Sequence, residues 1–196
     1  MKDTAIIALI AGAVSLLTHI LIDPFLRKDA VARSGKTTEN DEGTSRAIRI
    51  VFLLSWVFML LTALPNQFQV GVVEPHVVFT ALGAALATAG YLIRVVAMQT
   101  LGEFFTATLR MRENHRVVSE GIYRQIRHPG YLGTILFFAG SAIATANFIT
   151  TLLILAALVP AFVRRITVEE RMLTEQLGED YRAYQGKTWR LIPFVF

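Results

Sequence analysis

The chain contains no cysteine, which excludes disulfides, thiol nucleophiles and thiolate metal sites together. Charge is also scarce. Charged residues make up 17% of the 196 positions and hydrophobic ones 54%, where an ordinary soluble domain has about 25% charged. No strand–turn–helix pattern with a glycine-rich loop occurs anywhere, so a soluble dinucleotide-type fold is excluded. Internal repeats and low-complexity tracts are absent too. The net charge of +4 and a pI near 9.7 raise the question of nucleic acid. The basic residues, however, flank apolar runs in the manner of membrane-protein loops, so no nucleic-acid partner is expected. A chain this short of polar surface is best read from where it concentrates that surface.

A bilayer-crossing helix needs roughly 20 mostly apolar residues. Residues 4–22, 47–64 and 76–98 meet that condition. The first run stops at Asp23-Pro24 and the second at Pro65-Asn66, where proline cannot continue a helix, and the third carries Arg94 near its end. The first run also has the apolar character of a signal peptide. With only Lys2 ahead of it and no clear small-residue cleavage site, it reads as a retained helix. Residues 131–163 form a longer apolar stretch broken at Ala146-Asn147, which predicts a helical hairpin with two arms of about 16 residues. At ~1.5 Å per residue each arm reaches ~24 Å, short of the ~30 Å hydrocarbon core. Either the bilayer thins there or the hairpin does not fully emerge on the far side.

Basic residues then set the orientation. Arg27, Lys28, Arg33, Lys36 and Arg46 follow the first run; Arg110, Arg112, Arg116, Arg124 and Arg127 follow the third; Arg164, Arg165, Arg171, Arg182, Lys187 and Arg190 follow the hairpin. The 65–75 loop and the hairpin turn hold neither Lys nor Arg. The expectation is an all-α polytopic membrane protein with five transmembrane helices, its N-terminus outside and its C-terminus cytoplasmic. It divides into a three-helix region, 1–99, and a region, 100–196, holding a connector, the hairpin and cytoplasmic C-terminal helices. The helical spacing of Glu169, Glu170, Leu173 and Leu177 carries the second arm past the membrane surface to a stop or kink at Gly178. Residues 29–45, rich in Ser, Thr, Gly, Asn and charge, read as a mobile linker.

Because a hairpin leaves and returns to the same face, it brings residues 100–130 and 164–196 together. The first segment holds His115, Gly121, Tyr123, Arg127, His128, Pro129, Gly130 and Tyr131; the second holds Arg165, Glu169 and Glu170. Each group has a plain structural reading. Pro129 suits the first turn of a helix, the tyrosines suit an interfacial belt, and Arg165 with Glu169 makes an i,i+4 pair worth a few tenths of a kcal/mol. The two clusters lying opposite one another favour a site.

The ordered series from His115 to Val118, Gly121-Ile-Tyr123, Arg127-His128-Pro129-Gly130-Tyr131-Leu-Gly133, Arg165 with Glu169-Glu170, and Leu177-Gly178 through Tyr184 to Arg190 and Pro193 resembles the isoprenylcysteine carboxyl methyltransferase family of integral membrane enzymes. The match covers roughly the C-terminal half. It implies S-adenosylmethionine as cofactor and no metal. His115, Arg116, Val117, Val118, Tyr123, Arg127, His128, Pro129, Gly130 and Tyr131 would line the cofactor pocket. Glu169 would hold the methionine portion and Arg165 would face the acceptor. Family members with longer loops carry a glutamine upstream of His115, and Arg110 is the nearest candidate here. A carboxylate acceptor needs no general base, being already ionised; an amine acceptor would need one, and Glu170 or a histidine would supply it. The implied acceptor is a prenylated or otherwise lipophilic carboxylate arriving from the bilayer, with membrane lipids as neighbours. Phospholipid N-methyltransferases and NADPH-using sterol-type reductases have related C-terminal halves, and a small transporter is the non-enzyme alternative.

Overall fold

The computed structural model describes residues 42–63, 70–105, 109 and 116–195. The predicted first span, most of the predicted linker, and both Arg110 and His115 lie outside these residues. The described residues form helices joined by turns, with isolated bridges but no strand. In chain order they are α1 (Thr44–Ala63), α2 (His76–Leu101), α3 (Pro129–Ala144), α4 (Phe148–Leu177) and α5 (Glu179–Gln185), with 3-10 turns at Gly102–Phe104 and Gly121–Arg124.

Among the described residues, three helices are long and apolar enough to cross a membrane: Thr44–Thr62, His76–Phe104 and Phe148–Leu177. Their outward faces carry exposed Leu53, Leu61, Val77, Leu82, Leu92 and Leu152. Exposed apolar surface of that extent suits lipid rather than water.

The hairpin forms as predicted but its arms are unequal. α3 is 16 residues, whereas α4 runs for 30 and passes unbroken through Pro160. At ~1.5 Å per residue α4 is ~45 Å long and more than spans the hydrocarbon core, so only α3 is short. The turn is built at Asn147, whose side-chain oxygen caps α4 by accepting from the Thr150 amide at 3.0 Å. Its Nδ2 donates to the Val70 carbonyl at 3.0 Å, and Val73 N–H donates to the Ala146 carbonyl at 2.9 Å. The 70–73 segment thus satisfies the backbone groups that the turn exposes.

Helices α2 and α3 meet along glycines. A Cβ at Gly90 would lie 2.5 Å from the Phe137 amide nitrogen, and one at Gly133 2.6 Å from the Gly90 carbonyl. Gly83 and Gly140 press equally close to the facing backbones of Ala144 and Ala87. Lipid tails are as apolar as leucine, so helices in a bilayer associate through such close backbone packing. On the other side of α3 lies an aromatic core. Phe52 stacks on Phe138 at 4.6 Å, Trp56 meets the same ring edge-on at 5.7 Å, and Leu158 and Ile154 close the layer from α4.

The linker reading fails at its last two residues. Thr44 and Ser45 begin α1 and are buried. Polar composition marks a loop only where no partner waits for the hydroxyls, and here one does.

Candidate active site

At the end of the bundle away from the hairpin turn, three separated pieces of chain converge: the end of α2, residues 116–131, and distal α4 with α5. They line a cavity that opens to solvent, about 900 Å³ counting its open mouth. Arg116, Val117, Val118, Tyr123, Arg127, His128, Gly130, Tyr131 and Glu169 all line it. The structure therefore gathers most of the predicted site. Pro129 is the first residue of α3 and is buried, but it is not in the lining. Arg165 and Glu170 are not in the lining either.

Consecutive residues on a helix point about 100° apart, and that separation gives Glu169 and Glu170 different surroundings. Glu170 is buried and works as a hub. It accepts from Arg127 Nε at 2.7 Å and Arg190 Nε at 2.9 Å, and it lies 3.3 Å from His128 Nε2. Arg127 also reaches the carbonyls of Gln185 (3.0 Å) and Thr188. The backbone closes the same clasp, because Arg127 N–H donates to Trp189 O at 2.8 Å and Trp189 N–H to Gln125 O at 2.8 Å. Tyr184 Oη adds a bond to the Tyr123 carbonyl at 2.7 Å. The C-terminal segment thereby straps the strip before α3 onto α4.

Glu169 turns to the cavity wall. Tyr131 Oη donates to Glu169 Oε2 at 2.5 Å, and His128 Nδ1 lies 3.8 Å from the same oxygen. The His128 and Tyr131 rings stack at 5.5 Å, only 7° from parallel. Behind Tyr131, Arg165 Nε donates to the same phenol oxygen at 3.1 Å, while its Nη1 donates to Thr44 Oγ1 at 3.0 Å and Ser45 Oγ at 2.7 Å. Arg165 is thus one hydrogen bond removed from the cavity.

The remaining tyrosines cannot serve as bases at neutral pH. Burial pushes the Tyr184 phenol up to about 12, with Arg127 pulling the other way. Tyr181 is raised further, by burial and then by the carboxylates of Glu170 and Glu169. Tyr123 is raised by burial and then by Glu169. All three keep their protons and act as donors or as walls.

A model of the isoprenylcysteine carboxyl methyltransferase (ICMT) family matches residues 82–175. A probable protein-S-isoprenylcysteine O-methyltransferase of Oryza sativa subsp. indica is 28% identical over 158 residues, covering 80% of this chain and 83% of the relative. The protein-S-isoprenylcysteine O-methyltransferase of Schizosaccharomyces pombe is 34% identical over 108 residues, 54% of this chain and 46% of its own length. A solved structure of the eukaryotic intramembrane Ras methyltransferase ICMT superposes with a TM-score of 0.61 at 27% identity, covering 75% of this chain and 52% of that one. In sequence over residues 82–175 and in fold, the chain is similar to the isoprenylcysteine carboxyl methyltransferase family. It is an integral membrane protein that spans about half the length of the fission-yeast relative and of the solved family member.

Several groups around this family site were not assigned a place in it from sequence. Arg94 lines the cavity from α2 and donates to Thr134 Oγ1 at 2.8 Å. An arginine in an otherwise apolar span was an available signal, since such a residue is costly and tends to be functional. Phe104, Phe105, Leu109 and Met172 supply apolar walls. Nothing in their local pattern separates them from lipid-facing residues. Thr44 and Ser45 gave no signal at all.

Proposed function

We propose that the cavity binds S-adenosylmethionine and that the protein methylates the carboxylate of a prenylated or similarly lipophilic acceptor. The observation that carries this reading is the Glu169–Tyr131 pair on the wall of a cavity that is part charged and part aromatic, at the end of membrane-crossing helices. The residues fit the cofactor's chemistry. Glu169 is a carboxylate suited to an ammonium, Arg116 and Arg94 are cations suited to a carboxylate, and Phe104, Phe105 and Tyr123 are flat surfaces suited to adenine. When bound, S-adenosylmethionine supplies an electrophilic methyl on a sulfonium.

The protein's own contribution is geometric. An acceptor carboxylate is ionised at neutral pH, so no residue need remove its proton, and Glu170, held by Arg127, Arg190 and His128, is not required as a base. Holding the acceptor close and aligned is the main source of acceleration for such a displacement. Apolar walls from Leu101, Leu109 and Leu173 keep water from competing. Arg165, expected from the family to face the acceptor, is placed to act through Tyr131.

The proposed arrangement in the membrane has five helices, with residues 4–22 as the first, the N-terminus outside and the cavity at the cytoplasmic surface. The crowding of Arg and Lys at one end of the bundle supports it. A water-soluble cofactor then enters from the cytosol and a lipophilic acceptor from the bilayer. In this arrangement residues 1–99 are the three-helix region and residues 100–196 the catalytic region, with Arg94 and Thr44 of the first in contact with the second. The test is methyl transfer from labelled S-adenosylmethionine by the purified full chain. A prenylated cysteine analogue, phosphatidylethanolamine and a sterol serve as acceptors. Methylation of the first, with Glu169→Gln raising the cofactor KM roughly tenfold or more, is expected. Transfer to phosphatidylethanolamine alone, or crosslinking of NADPH in place of the methyl donor, would overturn the reading.

A further inference from the structure

The start of α1 lies before the family-matched region, residues 82–175, and outside the cavity lining. It is nevertheless buried against the site, with Thr44 1% exposed and Ser45 8% exposed. Both hydroxyls accept from Nη1 of Arg165, at 3.0 and 2.7 Å, across separations of 121 and 120 residues in sequence. Arg165 is itself 3% exposed. Its Nε donates at 3.1 Å to the Tyr131 oxygen, which donates in turn to Glu169 at 2.5 Å. The entry to α1 is fastened along α4 at two further points. Arg171 Nη1 donates to Glu42 Oε1 at 2.8 Å, and Arg164 Nη2 to the Glu42 carbonyl at 3.3 Å. These two are exposed and add little energy, but they set the register of the segment.

We infer that Thr44 and Ser45 are positioning residues at the head of a hydrogen-bond relay, Thr44/Ser45 to Arg165 to Tyr131 to Glu169, that orients the cavity carboxylate. A guanidinium is planar, with its donors in a fixed fork, so holding one edge fixes the direction of the others. Two hydroxyls hold that edge without adding a charge of their own. A cation donating to the phenol oxygen strengthens the phenol as a donor toward a carboxylate, and hydrogen bonds in such a chain reinforce one another. The short Tyr131–Glu169 distance is the end product of that chain. Glu169 is thereby held in one orientation by a helix that touches no part of the cavity. The inference deepens the proposed function and rests on it, because it assigns a role in the S-adenosylmethionine site.

The experiment is calorimetric binding of S-adenosylmethionine to the full chain, carried through a double-mutant cycle. The double variant Thr44→Val/Ser45→Ala is expected to weaken binding roughly tenfold, the scale of one lost charge-assisted hydrogen bond. The acceptor KM should stay unmoved. In a Tyr131→Phe background the same pair of changes should have no further effect, and Thr44→Ser with Ser45 intact should bind like wild type. Should the double variant not accumulate folded, Ser45→Ala alone carries the same expectation through the same cycle. Unchanged binding, or a loss that adds in full to that of Tyr131→Phe, overturns the relay. Wild-type protein that binds no S-adenosylmethionine overturns the cofactor site, whereas normal wild-type binding beside an unmoved variant counts against the relay alone.

Discussion

The α2–α3 seam and the Glu170 clasp are both tight, and they are tight for opposite reasons. Along the seam, Gly83, Gly90, Gly133 and Gly140 let two backbones touch, and there is no room for a side chain. In the clasp, Glu170 draws Arg127, His128 and Arg190 onto one carboxylate. The seam holds because nothing is there; the clasp holds because every charge has a partner. In lipid, small residues are what allow helices to associate. At the polar end, a single buried carboxylate joins three segments that no apolar contact would select uniquely.

The comparison can be pressed by removing each device. Glu170→Ala should have the largest effect. It strands the largely covered Arg127 guanidinium, whose side chain is 9% exposed, and should destabilise the protein by about 3 kcal/mol, with loss of S-adenosylmethionine binding, read by thermal unfolding in detergent and by calorimetry. Normal stability in this variant would show that the clasp is not structural. Gly90→Ala should follow. Its methyl would meet the Phe137 backbone, so overpacking should cost about 1–3 kcal/mol and lower the unfolding midpoint while leaving cofactor affinity in the surviving folded protein near wild type. A stable Gly90→Ala chain would mean that α2 and α3 can separate without harm.

The smallest effect concerns Tyr184. Its phenol is raised to about 12 by burial, above the ~10 expected of an unfolded chain. The unfolded state therefore loses its proton first as pH rises, so stability is constant below about pH 10 and falls between about 10 and 12. Tyr184→Phe should make that alkaline fall shallower, the rest being carried by Tyr123 and Tyr181, which burial also raises. It should also cost about 1 kcal/mol at neutral pH for the lost bond to the Tyr123 carbonyl. An alkaline melting curve unchanged by Tyr184→Phe would remove this tyrosine from the account.

Much of the architecture was readable before any coordinates. Asp23-Pro24, Pro65-Asn66 and Ala146-Asn147 interrupt the hydropathy, and the helix ends at Ala63 and Ala144 agree with the second and third of these. The facing of residues 116–131 with Glu169 followed from the hairpin alone. The roles of Glu169 and Glu170 were harder to separate, because adjacent carboxylates look alike in sequence and only the 100° turn between them decides which meets the cavity. The apolar part of the second hairpin arm is about 16 residues, and the helical spacing of Glu169, Glu170, Leu173 and Leu177 carries the helix past the membrane surface, as the structure bears out. α4 continues to Gly178, which takes φ +57 and returns its N–H to the Thr174 carbonyl at 3.0 Å.

Local chemistry and order along the chain were enough to point to a helical membrane protein, its hairpin and the family it resembles. Apolar runs must satisfy their backbones as helices in lipid, and the dense polar series between them has few other uses. Tertiary structure alone decided that Arg165 sits behind Tyr131, that Glu170 clasps the C-terminal segment, and that two hydroxyls at the start of α1 reach the site. Those facts depend on side-chain direction and on contacts between residues 20 to 121 positions apart, and neither leaves a periodic trace in sequence.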